Sequence, residues 1–221
     1  MTPTSPDDFA RKIAVWAIPV LFAITVHEAS HGYVARRFGD RTAEMLGRLT
    51  LNPIKHIDPI GTVLLPAFML FVSGYIFGWA KPVPVNARNL RNPRRDMVLV
   101  AAAGPAVNLL MALLWGFLMS VSLLVGSSPG NVGRWLFAMG QAGVIINVVL
   151  AVFNFLPIPP LDGGRVASGL LPPRLAARLD ALEPYGIFIV VGLLFLGLWS
   201  FLLPVVQTLC NLIFAVTSVA G

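Results

Sequence analysis

His27-Glu28-Ala29-Ser30-His31 is the stretch best equipped for chemistry. In a helix, side chains four apart share one face. His27 and His31 can therefore offer two imidazole nitrogens to one Zn²⁺. Glu28 lies beside them, placed to handle the proton of a metal-bound water. The surrounding run is apolar from near Ile13 and turns clearly polar only at Arg36-Arg37. Two histidines and a glutamate so deep in an apolar helix are costly, which marks them as functional. The competing explanation is a chance match on a soluble amphipathic helix.

Two histidines do not complete a catalytic zinc site, which uses three protein ligands and an open position. Apart from Glu28, the acids are Asp7, Asp8, Asp40, Glu44, Asp58, Asp96, Asp162, Asp180 and Glu183, most of them in polar loops or tails. Asp162 stands out between Leu156-Pro157-Ile158-Pro159-Pro160-Leu161 and Gly163-Gly164. Non-helical backbone beside a membrane span is tolerated where it is buried or lines a wet cavity. The prolines keep this piece extended and the glycines permit close approach. It is a plausible mount for the third ligand, or simply a cytosolic turn. His56 competes for the same role, although its polar, basic loop suits a surface or capping residue. Asn108 and Asn154 are amides in apolar surroundings and need partners. They could bind a substrate backbone or steady an oxyanion, or they could bond helix to helix. Asn147 is expected to pack only.

The elements that must carry these residues are membrane spans. Of the 221 residues 57% are hydrophobic and 12% charged, against about 25% charged in soluble domains. The net charge of +6 does not indicate nucleic acid, because the basic residues sit in short loops between apolar runs. Cys210, the single cysteine, excludes an intrachain disulfide and is expected to be buried. Arg11-Lys12 before an apolar stretch mimics a signal peptide, but no small-residue cleavage site precedes the histidines, so this helix is expected to be retained.

The first span is predicted over 13–38. A second apolar run, 60–80, is interrupted by Pro66, Gly74 and Gly78. Further spans are predicted over 97–125 and 135–155. The last block, 185–220, carries Pro204 and reads either as one span with a short tail or as two short helices. Residues 46–51 and 81–86 look extended or strand-like, and 165–184 look like a surface segment. The fold class is an all-α polytopic membrane protein, a bundle of about 4–6 membrane segments with small membrane-associated β-elements. It is expected to be one domain over 1–221, with its core at about 13–165.

Lysine and arginine are concentrated in three stretches: five in 36–59, five in 79–96 and three in 157–184, against Arg134 alone near the turn at 130. The positive-inside rule puts the first three in the cytosol and the turn outside. Both flanks of 60–80 then lie on one side, so that run is predicted to enter the membrane and return, or to lie along its surface. His27 falls about 13 Å from the cytosolic end of its helix.

Three blocks in this order carry a resemblance: His27-Glu28-Ala29-Ser30-His31, Gly104-Pro105-Ala106-Val107-Asn108, and Asn154-Phe155-Leu156-Pro157-Ile158-Pro159-Pro160-Leu161-Asp162-Gly163-Gly164. Together they resemble the site-2 protease family of intramembrane zinc metalloproteases, in particular its short bacterial members without a PDZ domain. The resemblance implies a single Zn²⁺ on His27, His31 and Asp162, and Glu28 as general acid and base. It implies Asn154 by the scissile carbonyl; Gly104 and Asn108 are expected at the substrate. It also implies cytosol-facing access and hydrolysis of a peptide bond in or near a transmembrane segment of a membrane protein. The pieces near 46–51 and 81–86 look like β-elements that some members pair with an extended substrate, here through Val83 and Val85. The expected setting is the cell (inner) membrane, with lipid and a transmembrane protein substrate as partners, no nucleic acid, and an open oligomeric state. The alternative is a non-enzymatic zinc-binding membrane protein or metal transporter. A transporter would spread polar residues across the membrane and often show repeats; neither is seen here.

Overall fold

The structure is a computed structural model that describes residues 6–64, 80–124 and 132–218. Four long helices organise it: α1 (Pro6–Arg37), then, after the short α2 (Thr42–Met45), α3 (Pro93–Leu124) and α4 (Val132–Asn154), and finally α8 (Leu198–Thr217). Between α4 and α8 lie α5 (Asp162–Leu170), α6 (Pro173–Asp180) and α7 (Gly186–Phe195). Among the described residues four segments are long and apolar enough to cross a membrane: Ile13–Arg37, Pro93–Leu123, Val132–Asn154 and Leu198–Thr217. The protein is a multi-pass membrane protein. Large apolar side chains such as Leu110, Leu114, Phe117, Phe201 and Leu212 remain exposed on these helices, as lipid-facing surface requires.

α3 is the central helix and packs on α1, α4, α5 and α8. Small residues allow the approach. Gly140 lies against Met119 and Gly143 against the ring of Trp115, the close packing that small side chains permit between membrane helices. One core cluster joins Ala112 of α3, Val144 and Val148 of α4, and Val206, Cys210 and Ile213 of α8. A second, at the other end of α3, joins Ala35, Leu90 and Val100. Cys210 is buried and unpaired, as expected.

The 185–220 block resolves into two helices, α7 and α8. The break falls at Gly197, whose φ of 92° is open to glycine and strained for most residues. Pro204 lies inside α8 and does not end it. No strand occurs among the described residues, so the β-elements expected at 46–51 and 81–86 are corrected, the first to a turn at 46–47 followed by coil and the second to coil. The reason is local: the backbone of 81–86 is held by side chains and by a loop rather than by a neighbouring strand. Lys81 N–H donates to the His56 carbonyl at 2.9 Å, Val83 N–H to Glu28 Oε2 at 2.9 Å, and Asn86 N–H to Asp40 Oδ2 at 2.7 Å. Arg48 Nη2 adds a bond to the Lys81 carbonyl at 3.0 Å. Pro82 and Pro84 have no N–H to give a ladder.

The path of the 60–80 run lies mostly outside the described residues, but its flanks are visible. Lys81 N–H meets the His56 carbonyl at 2.9 Å, and Arg91 N–H meets the Phe38 carbonyl at 3.1 Å. The chain therefore comes back to the end of α1 from which it left.

Candidate metal centre

The helix α1 places His27 and His31 one turn apart, both buried, on the face that meets α3. Their rings stand edge to face, with centroids 4.9 Å apart. Room for them comes from Gly104. A Cβ at that position would lie 2.6 Å from Cε1 of His27 and 2.6 Å from Cε1 and Nε2 of His31. Any other residue there would drive the two rings off α3. Gly104 thus lies against the histidines themselves.

Asp162 arrives from a distant part of the chain. Pro157, Pro159 and Pro160 interrupt the helix after α4, and Asp162 is the first residue of α5. Gly163 makes this tight return possible, since a Cβ there would sit 2.3 Å from the carbonyl oxygens of Phe155 and Leu156. At its far end α5 is tied to α3 by Arg94, whose Nε donates to the Gly169 carbonyl at 3.0 Å and whose Nη2 donates to Leu171 O.

The three side chains converge. His27 Nε2 lies 3.1 Å and His31 Nε2 3.3 Å from Asp162 Oδ2, and the two Nε2 atoms are 3.3 Å apart. The opposite ring nitrogens are committed: His31 Nδ1 to the Val100 carbonyl at 2.7 Å, and His27 Nδ1 to Asn108 Oδ1 at 2.5 Å. A carbonyl oxygen only accepts, so both Nδ1 atoms carry the hydrogen, and in the neutral rings that bind metal both Nε2 atoms present lone pairs. Those lone pairs face a carboxylate oxygen that is itself buried and has no hydrogen-bond partner. Such an arrangement is repulsive until a cation enters it. Ligand atoms on a tetrahedral Zn²⁺, at bond lengths of about 2.0–2.1 Å, are about 3.3 Å from one another. The observed separations match, and the donor set of two nitrogens and one carboxylate oxygen suits one zinc ion.

Other predicted site residues are placed as follows. Glu28 is half-buried and its Oε2 accepts from Val83 N–H. Val83 thus anchors Glu28 through its backbone N–H, and its side chain is buried against Gly32. Val85 packs on the Ala35–Leu90–Val100 cluster. Asn108 is 0% exposed and bonds to His27. Asn154 donates back to the Leu150 carbonyl of its own helix at 3.0 Å. His56 is buried and bonds to the Thr50 carbonyl at 2.9 Å, apart from the three converging ligands.

Two participants were not singled out from sequence. The Val100 carbonyl is backbone and leaves no trace in residue type. Asn147 accepts from Asn108 Nδ2 at 2.8 Å. It is buried in an apolar span like Asn108 and shares a helix face with Asn154 seven residues on, which was the available signal.

The profile of Peptidase family M50 matches residues 15–127 and 130–197. YwhC of Bacillus subtilis (strain 168), described as a candidate zinc metalloprotease, is 42% identical over 192 residues, covering 84% of this chain and 82% of its own. Rip2 of Mycolicibacterium smegmatis, described in the same way, is 33% identical over 202 residues, 87% of this chain and 71% of its own. The zinc metalloprotease MJ0392 of Methanocaldococcus jannaschii is 22% identical over 158 residues, 72% of this chain and 34% of its own. No solved structure matches the chain significantly.

Proposed function

Because the chain belongs to peptidase family M50, we propose that it is a zinc endopeptidase that cuts a membrane protein substrate in or near a transmembrane segment. One observation carries this: His27, His31 and Asp162 converge within a bundle of apolar helices, with Glu28 adjacent in sequence to His27. A helical substrate has its carbonyls tied up in intrahelical bonds, so it must unwind locally before attack.

When bound, zinc supplies a water of lowered pKa, near about 7, and polarises the scissile carbonyl. His27 and His31 would hold it through Nε2 and Asp162 through Oδ2. Glu28 takes the proton of the attacking water and returns it to the leaving amine. The Val83 N–H fixes Glu28 Oε2, which leaves Oε1 for that transfer. Asn154 uses one N–H on Leu150; its second N–H is the donor offered to the scissile carbonyl.

The site opens to the cytosol in this reading. Thirteen of the sixteen Lys and Arg residues lie in 36–59, 79–96 and 157–184, the exceptions being Arg11, Lys12 and Arg134. Such a bias marks the cytosolic side of a bacterial inner-membrane protein.

Purified protein in detergent or liposomes, given a single-span reporter, tests the assignment. Glu28→Gln is expected to keep one zinc per chain while cleavage falls by about 10²–10⁴-fold. Undiminished cleavage by Glu28→Gln overturns it, as does a wild-type chain that holds zinc and cuts nothing.

A further inference from the structure

We infer that Asn147 is a positioning residue for the metal ligand His27, acting through Asn108. This rests on the zinc site proposed above. The two amides are 0% exposed and form a directed chain. Asn147 Nδ2 donates to the Gly143 carbonyl at 2.9 Å, Asn108 Nδ2 donates to Asn147 Oδ1 at 2.8 Å, and Asn108 Oδ1 faces His27 Nδ1 at 2.5 Å.

The direction of the chain follows from its first link. The Gly143 carbonyl can only accept, so Asn147 must turn its nitrogen to Gly143 and its oxygen to Asn108. Asn108 must then turn its nitrogen to Asn147 and its oxygen to His27. His27 Nδ1 must therefore carry the hydrogen, and its Nε2 is left as a lone pair aimed at Asp162 and His31. His31 receives the same instruction in one step, from the Val100 carbonyl at 2.7 Å. The two ligands are thus set by two backbone carbonyls, one directly and one relayed through two side-chain amides.

Without Asn147, nothing equally strong orients Asn108. Its remaining fixed contact is a long one, Nδ2 to the Ala23 carbonyl at 3.4 Å. A rotated amide would present its nitrogen to His27 Nδ1 and favour the tautomer with hydrogen on Nε2. That tautomer cannot bind metal through Nε2, the atom that faces Asp162. Partners that orient a metal-bound histidine are typically worth about 10–100-fold in metal affinity.

The test measures zinc affinity by chelator competition in detergent, together with the histidine tautomers of the zinc-free protein by ¹⁵N NMR. Wild type and Asp162→Ala are the controls. Asn147→Leu, close in volume, is expected to bind zinc about 10–100-fold more weakly and to shift His27 toward hydrogen on Nε2. The same substitution in an Asn108→Asp background is expected to cost less than about 3-fold, because a carboxylate has no donor to misdirect. Asn147→Ala serves if Asn147→Leu does not fold. Wild-type zinc affinity and tautomer in a folded Asn147 variant overturn the relay alone. So does an equal loss in the Asn108→Asp background, which would mean packing. A wild type that binds no more zinc than Asp162→Ala overturns the site and the relay together.

Discussion

At the scale of single residues, the site works by restricting what each ring nitrogen can do. Neither histidine is left to choose its tautomer, and the atom each points at Asp162 is a bare lone pair. Gly104 is as necessary as the ligands, since it supplies the space in which their rings stand. Gly104→Ala puts a methyl 2.6 Å from both rings. The cost of such overpacking is typically about 1–3 kcal/mol, and here the rings must move. We expect weaker zinc binding and a lower melting temperature in detergent, with α-helix content unchanged by circular dichroism. Zinc affinity equal to wild type would show that the rings can adjust freely, contrary to their hydrogen bonding.

At the scale of elements, the segment 80–92 acts as a strap across the end of α1. Asp40 is its clasp. Its carboxylate accepts from Thr42 N–H, from Thr42 Oγ1, from Asn89 Nδ2 and from Asn86 N–H. Burial is the largest single influence on this carboxyl and pushes its pKa up; the four hydrogen bonds together outweigh it and leave the pKa below its ordinary value. A group with a depressed pKa contributes stability that is full above the unfolded value, about 3.9. That contribution is lost as pH falls through the folded value. Acid should therefore loosen the strap and, with it, the Val83 bond to Glu28. Hydrogen exchange should show protection of the Val83 and Asn86 amides dropping below about pH 4. In Asp40→Asn, protection should already be weaker at neutral pH and should lack that acid step. An unchanged acid step in Asp40→Asn would remove Asp40 from this role.

At the scale of the whole molecule, the bundle has one busy end. The strap, α2, α5 and α6 gather where α1 ends and α3 begins, and Asp162 enters the bundle from there. Thirteen of sixteen basic residues share that end by sequence region, which predicts a single orientation in the membrane. With Cys210 replaced, cysteines placed at the exposed positions Arg41 and Arg174 should label from one side of sealed vesicles. A cysteine at Arg134 should label from the other. Opposite-sided labelling of 41 and 174 would defeat the arrangement.

Much of this was legible in the chain itself. Apolar length marked the spans over 13–38, 97–125 and 135–155, because backbone in lipid must close its own hydrogen bonds. The i, i+4 histidines with Glu28 declared metal chemistry, because helix geometry alone brings them together. The rarity of acids in apolar surroundings singled out Asp162, and the charge count brought both flanks of 60–80 to one side. The sequence could not say that the Val83 N–H would bond Glu28 or that Val85 would pack on the core, since an extended segment reads alike whether it pairs with a strand or with side chains. Nor could it place the α7–α8 break at Gly197 rather than Pro204, because a proline in a packed membrane helix can be accommodated. Above all it could not separate Asn108 and Asn147 from ordinary packing amides. An amide declares a need for partners through its residue type, but the partners are chosen by tertiary contact, and here they are a ligand, another amide and two backbone carbonyls.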